Sequence, residues 1–490
     1  VCKAWSRHLS FSAIQEDFGI ETVDCHMGIP KQIARQIIGL RTVNVQTDMA
    51  SLKYINNNVK HIYLWNDYEP CIHQLQEFTA LESLIIDTPV NCISGIHHFR
   101  HLKSIEMIVT SDIQNLSDIG KIHTLEKLYI SLNQTIDFEF IRGNEKLESL
   151  HICNNNYNDI DFDISHLCYN KKLKILSIWC CDIQNSDSFQ YLRDHLISLK
   201  LTNTSSYSSK DLSYLVQLKS LIITGIYDNF DGSFLQYLVN LETLDLIDIV
   251  YMDLKYISTI KNLVKLKRLC LPSWNITDIS FLQGLPLVSL NISKCMRLKD
   301  VSCISKLSNL KELDIYLNST ADYSPLQSLL QLEKLNVHSY GTPSFDLSFL
   351  HGMTNVQTMS IIGFNWLNNI SSLRNMHKLK KLHLRQCENI DDLSGIRELS
   401  QLKCLIIDGL CNIQDLSPIE CLHLDNLEIC DCNMVTDVSP LRNVKNLELL
   451  YNSKITSLES IGKLVQLERL IIHDVKVTDI SPLASLTNLN

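Results

Sequence analysis

The chain is predicted to be an α/β solenoid, with a curved parallel β-sheet on its concave face and short 3₁₀ or helical turns and loops on its convex face. Three observations predict it. Apolar residues recur at i, i+3 and i+5, as at Leu424, Leu427 and Ile429, the spacing of a short strand with one buried face. That motif reopens about every 22 residues, a period that belongs to stacked repeat units. Between strands an Asp-x-Ser segment also returns, at Asp211, Asp278, Asp346 and Asp392 and, with Pro after the Ser, at Asp322, Asp415, Asp437 and Asp479. So short a period leaves room only for single turns on the return side, expected to be 3₁₀.

In chain order, residues 1–19 are expected to form an N-terminal helical segment, opening Val1-Cys2-Lys3-Ala4-Trp5-Ser6-Arg7-His8-Leu9. Ile20, Val23 and Cys25 already carry the strand spacing, and a helix is predicted from Pro30 to Ile38 with Ile33, Ala34, Ile37 and Ile38 on one side. From residue 20 to 490 about 21 units are expected. Strand motifs open at Leu40, Val59, Leu81, Leu102, Leu125, Leu147, Leu173, Leu196, Leu218, Leu241 and Leu266. They continue at Leu287, Leu310, Leu332, Val356, Leu379, Leu402, Leu424, Leu447, Leu467 and Leu489. The Leu447 unit is irregular, since Asn452 falls where a third apolar residue belongs. In each Ser-Pro version, as at Ser439-Pro440, the hydroxyl is expected to cap the turn and Pro to occupy its first position.

One unit cannot fold alone, because its apolar side chains do not offset the entropy of ordering it. Stacked units share a core and a strand ladder, so the array is quasi-one-dimensional. With 15 Gly and 10 Pro in 490 residues, no flexible linker is expected to divide it. The net charge of −10 argues against nucleic acid or an anionic membrane as partner. No apolar run reaches the length of a membrane span. The chain starts at Val1 rather than Met, and a strand motif opens at Leu489, so both ends are expected to be cut from a longer protein.

The pattern resembles the leucine-rich-repeat family over nearly all of residues 20–490. Unit length and the Asp-Ile-Ser-Pro-Leu segment are similar to the short-repeat class of bacterial internalins and phosphatase-regulating leucine-rich proteins. Cys295-Met-Arg-Leu-Lys-Asp, Cys387-Glu-Asn-Ile-Asp-Asp and Cys432-Asn-Met-Val-Thr-Asp are similar to the cysteine-containing units of F-box proteins. Val1-Cys2-Lys3-Ala4-Trp5 resembles the end of an F-box, so residues 1–19 would be the end of a truncated F-box. That resemblance implies a cytoplasmic (or nuclear) substrate-recognition subunit of a Skp–cullin–F-box ubiquitin ligase, with Val1 and Trp5 contacting a Skp-type adaptor. The alternatives are a secreted or surface internalin-like adhesion protein and a phosphatase-regulating scaffold. Sequons at Asn115, Asn133, Asn275, Asn291, Asn318 and Asn369 favour the secreted alternative. An odd 17 cysteines with no Cys-x-x-Cys favour a reducing compartment.

Those cysteines also invite a metal or redox reading. Cys181, Cys295, Cys387 and Cys432 all fall eight residues after a strand motif opens, a position shared with Asn133, Asn155, Asn318, Thr110 and Thr204. A small semi-polar side chain is needed there to meet backbone groups under the turn, so these cysteines are expected to be structural. His97, His98 and His101 lie on a return segment with no neighbouring carboxylate pattern in the sequence and are read as a solvated surface. No phosphate-binding Gly loop, nucleophile elbow or His-Glu-x-x-His is present. The chain is therefore read as non-enzymatic, with no metal or cofactor. Function is expected on the concave face, at the fourth and sixth residues after each opening. Those positions hold Tyr63, Trp65, Tyr129, His151, Trp179, Asp314, Tyr316, His338, His383, Arg385, Asp408, Glu428 and His473, residue types suited to a protein partner.

Overall fold

The computed structural model describes residues 22–24, 39–42, 59–64, 72–76, 78–155, 160–225, 229–249, 251–252, 254–271, 275–341, 347–477 and 479–489. The helix predicted at Pro30–Ile38 and the whole segment 1–19 lie outside them. The chain divides into two compact units, Val1–Thr243 with Ile247–Tyr256, and Leu244–Leu246 with Ile257–Asn490.

In the first unit, the main-sheet strands from Thr22–Asp24 through Ser220–Thr224 pair in parallel, each with the next main-sheet strand, while Asp161–Asp163 and Asp182–Gln184 pair with each other apart from it. In the second, Arg268–Cys270 through Arg469–His473 do the same. Parallel neighbours need a crossover, and the described crossovers are return segments built around short turns. The described turns are 3₁₀, as at Leu116–Lys121 and Ser439–Leu441, with one α-turn at Leu254–Ile257. This is a leucine-rich-repeat solenoid.

The core of each unit follows from strand alternation. In Leu84/Ile86, Leu128/Ile130, Leu199/Leu201, Leu313/Ile315 and Leu427/Ile429, both residues of each pair are buried. Return-segment residues close the core from the other side. In the first unit these include Phe78, Phe99, Phe138, Phe162 and Phe189, with Phe138 and Phe162 edge to face at 4.8 Å. Asn144 and Asn170 occupy the same position as Phe78 and Phe99, three residues before a strand motif opens. Their amides donate to Ile119 O (2.9 Å) and Ile122 O (3.1 Å), and to Asn144 O (2.9 Å) and Ile141 O (3.1 Å). Buried amides thus tie one return segment to the one before it.

Two strand openings need correction. Leu447 pairs with Leu427 and Leu449 with Ile429, so this unit opens at Val444, the counterpart of Leu424, and not at Leu447. Asn452 is then eight residues on, in the position of Cys432, and the unit is regular. Its amide donates to Ile429 O (2.7 Å) and its carbonyl accepts from Cys432 N–H (2.9 Å). Likewise Leu40 pairs with Ile62, three residues into the unit that opens at Val59.

The Asp-x-Ser turn is also built differently from the expectation. The 3₁₀ turn at Ser439–Leu441 begins at Ser439 itself, with Pro440 second. Its cap is Asp437, whose carboxylate accepts from Ser439 N–H (2.8 Å) and Ser439 Oγ (2.9 Å). Asp278, Asp322, Asp392, Asp415 and Asp479 repeat the arrangement. The carboxylate takes two donors, and the Asp437 carboxyl is held below its usual range by those bonds.

A third regularity was not anticipated. The residue seven after an opening is left-handed in ten of the described repeats: Cys180, Asn203, Gly225, Asp248, Gly363, Gln386, Gly409, Asp431, Tyr451 and Asp474. Gly, Asn and Asp tolerate that conformation, whereas Gln and Tyr pay for it sterically. Gln386 (φ 51°) stands between units that use Gly363 and Gly409 for the same bend. Gln386→Gly should therefore raise stability by about 1 kcal/mol, read as a higher urea midpoint at unchanged slope. A lower midpoint would contradict the turn geometry.

Candidate functional site

Alternation that buries Leu and Ile turns the intervening residues away from the core in parallel rows. In the first unit one row runs Tyr63, Ile85, Glu106, Tyr129, His151, Ser177, Lys200, Ile222. Beside it runs a second row with Ser131, Cys153, Trp179, Thr202 and Thr224. The second unit aligns Asp314, Asn336, Ser360, His383, Ile406, Glu428 and Glu448 in one row. Its other row holds Tyr316, His338, Ile362, Arg385, Asp408, Cys430, Leu450 and His473. Every sequence-predicted face residue that is described falls on one of these rows. Trp65, Val1 and Trp5 lie outside the described residues.

In the first unit Tyr63 donates its hydroxyl to Asp87 Oδ2 at 3.1 Å. Tyr129 and His151 stack at 5.2 Å, and His151 Nε2 meets Ser149 Oγ at 2.8 Å. Burial, then the charges of Lys200 and Lys127, push the His151 imidazole down to about 4, so it is neutral at pH 7. Burial, then the neighbouring Asp87, push the Glu106 carboxyl up to about 7. The Lys200 ammonium lies over the Trp179 ring, 4.5 Å from its centroid, a cation–π contact. Ile85, Asp87, Glu106 and Lys200 are not among the predicted face residues. All four sit at the fourth or sixth place after an opening, so reading every unit at those places would have found them.

In the second unit the predicted residues largely engage one another. His338 Nε2 lies 2.8 Å from Asp314 Oδ1, and Asn336 donates to Asp314 Oδ2 at 3.3 Å. Tyr316 is buried, donating to Tyr340 O (3.0 Å) and accepting from Tyr340 N–H (3.1 Å). It therefore braces the sheet rather than presenting a ring to solvent. Arg385 Nε donates to Asp408 Oδ2 at 2.9 Å. Burial, then Glu448 and Asp408, raise the Glu428 carboxyl, while burial, then Arg385 and Lys381, lower the His383 imidazole. Lys381 and Arg385, flanking a His383 held neutral, thus adjoin an anionic corner of Asp408, Glu428 and Glu448. His473 is exposed, against the Tyr451 ring at 5.3 Å and 3.1 Å from Asp474 Oδ2.

The cysteines at the turn position are buried. Cys432 Sγ donates to Cys430 O (3.3 Å) and Cys387 Sγ to Arg385 O (3.2 Å), and Asn318 uses its amide on Leu298 O (2.7 Å) at the equivalent place. Burial pushes the Cys432 thiol up to about 12 and Cys387 up to about 11, the opposite of an activated thiolate. Among the histidines, the reading of His97 as remote from any carboxylate needs correction. Asp118, one repeat on and buried, brings Oδ2 to 3.2 Å from His97 Nδ1 and also accepts from Lys121 (2.6 Å) and Gly95 N–H (3.2 Å). Among the described residues no helix is long and apolar enough to cross a membrane.

No protein-family profile matches the chain, and no curated protein matches it. Similar solved structures include an internalin of Listeria monocytogenes, 24% identical over 66% of this chain and 81% of that one, with a TM-score of 0.40. A leucine-rich-repeat protein of Leptospira interrogans is 17% identical over 92% of this chain and 98% of that one, with a TM-score of 0.41.

Brief iodoacetamide treatment of the folded protein, followed by peptide mapping, should modify the exposed Cys92, Cys411 and Cys421. Cys181, Cys295, Cys387 and Cys432 should react only after denaturation. Native labelling of Cys432 would contradict its structural role.

Proposed function

We propose that the chain is a protein-recognition scaffold that binds its partner across the strand face turned away from the core. One observation carries this reading. The buried positions repeat Leu and Ile from unit to unit, while the outward rows hold unlike aromatic, cationic and anionic side chains at fixed spacing. Ordered strands hold those groups without further loss of backbone entropy, so a partner meets a preorganised surface. Tyr129, His151 and Trp179 of the first unit, and His383, Arg385, Asp408 and Glu428 of the second, are the contacts proposed.

The narrower reading is a substrate receptor of a Skp–cullin–F-box ubiquitin ligase, acting in the cytoplasm or nucleus without enzymatic activity of its own. It is supported by the likeness of Val1-Cys2-Lys3-Ala4-Trp5 to the end of an F-box and by its place ahead of the repeats. Cys92, Cys181, Cys387, Cys411 and Cys432 are free thiols, which fits a reducing compartment.

Two capture experiments test the two levels. With the chain as bait, Tyr129→Ala/Trp179→Ala should reduce recovery of the bound proteins about tenfold or more, as loss of interface aromatics does. Tyr191→Ala/Tyr237→Ala, on the exposed return side, should leave recovery unchanged; the reverse result would move the site off the strand face. For the narrower reading, a purified Skp-type adaptor should bind the protein, and Trp5→Ala should weaken it. No binding, or none affected by Trp5→Ala, would remove the ligase assignment and leave the scaffold standing.

A further inference from the structure

The geometry points to the cleft around Glu106 as the seat for a lysine or arginine side chain of an extended partner segment, an inference that rests on the recognition role proposed for this face. The cleft is lined by Ile85, Asp87, Glu106, Ile108, Tyr129 and Ser131, drawn from three adjacent parallel strands, and closed by Cys153 and Asn155 of the next repeat. Glu106 sits in register between Ile85 and Tyr129, with strands about 4.8 Å apart. Asp87 is two residues beyond Ile85 on the same face.

Each wall has a chemical counterpart in such a side chain. Ile85, Ile108 and the edge of Tyr129 offer apolar surface for the methylene stem, which long cationic side chains bury while keeping the charge at a polar end. Asp87 and Glu106 supply the anionic end. One Asp87 oxygen already accepts from Tyr63, and a carboxylate has lone pairs to spare for a second donor. The stack of Tyr129 on His151 (5.2 Å) holds that ring in place beside the carboxylates. An anionic side chain would be repelled, and an apolar one would cover two carboxyl groups without pairing them.

The titratable groups around Glu106 on this face are Asp87 from the preceding strand and Lys127 and Tyr129 from the following one, with Tyr63, His151 and Cys153 beyond. Burial first, and Asp87 second, set the Glu106 carboxyl near 7. The empty cleft therefore holds a proton near neutral pH, and an incoming cation displaces it. The sign is fixed: a cation favours the ionised carboxyl, so affinity rises as pH passes upward through 7 and levels off above it.

The test is selection from a displayed library of extended nonapeptides on the full chain at pH 7.5, followed by fluorescence anisotropy of the winners. Lysine or arginine should be enriched at one position. Glu106→Gln, isosteric and checked by its unfolding curve, should weaken binding about ten- to a hundredfold. Norleucine in place of the peptide's basic residue should cost as much. Tyr237→Ala, on the exposed return side, should change nothing. Affinity should be about tenfold higher at pH 8 than at pH 6, as one ionisation near 7 requires, and Glu106→Gln should flatten that difference.

Winners without a basic residue, or indifferent to Glu106→Gln, overturn the seat. If those winners are still lost with Trp179→Ala, the face remains a recognition surface and only this inference falls. If no peptide is enriched, or none responds to any outward substitution, both fall. Self-association of the chain abolished by Glu106→Gln would assign the cleft to a second copy and overturn the partner segment.

Discussion

Parallel, in-register pairing between consecutive repeats is the constraint on which the rest depends. A short strand has backbone N–H and C=O groups that must be paired once its face is buried, and within a single repeat nothing can pair them. The neighbouring repeat does so, strand to strand, with bonds such as Lys103 N–H to Glu82 O (2.8 Å) and Glu126 N–H to Lys103 O (2.7 Å). Because the side-chain period of a strand is two, the same pairing sorts every residue inward or outward. Core, turn and recognition surface are thus three consequences of one ladder.

The turn that leaves each strand shows how few solutions the ladder permits. The chain bends through a left-handed residue, as at Gly409 or Asp431. It then drops a small polar side chain under the bend, Cys432 or Asn452, to meet carbonyls of its own or the preceding repeat. It restarts on an Asp that caps the next turn. Thiol, amide and carboxylate recur because each satisfies backbone groups that the bend leaves open. Their abundance therefore reflects repetition rather than chemistry at a site.

Much of this was legible in the residues. The i, i+3, i+5 spacing located the strands, and counting from it placed Cys181, Cys295, Cys387 and Cys432 at a structural position. The count slipped at Leu447 because Leu was preferred over Val444 as the opening residue, although Asn452 was the clue that the frame had shifted by three. Ser439 was mistaken for the cap because a helix rule was applied to a turn that starts one residue earlier. The pair His97–Asp118 spans about one repeat, so it is visible only once repeats are superposed. Outward positions were legible as places, but not which of them are spent on each other. Tyr316 looks like an interface aromatic in sequence and is buried against Tyr340, whereas Glu106 attracts no notice in sequence and lies at the centre of a cleft. Those outcomes depend on burial and on neighbours a full repeat away.

The most direct test of the ladder is a single-cysteine scan along the strand Asn446–Leu450, where two frames make opposite claims. With the unit opening at Val444, Glu448→Cys and Leu450→Cys should react rapidly with a bulky maleimide in the folded protein. Leu447→Cys and Leu449→Cys should react only on unfolding, as read by peptide mapping. Rapid reaction at position 449 with protection at 450 would contradict the pairing, and with it the assignment of outward rows on which the proposed recognition surface rests.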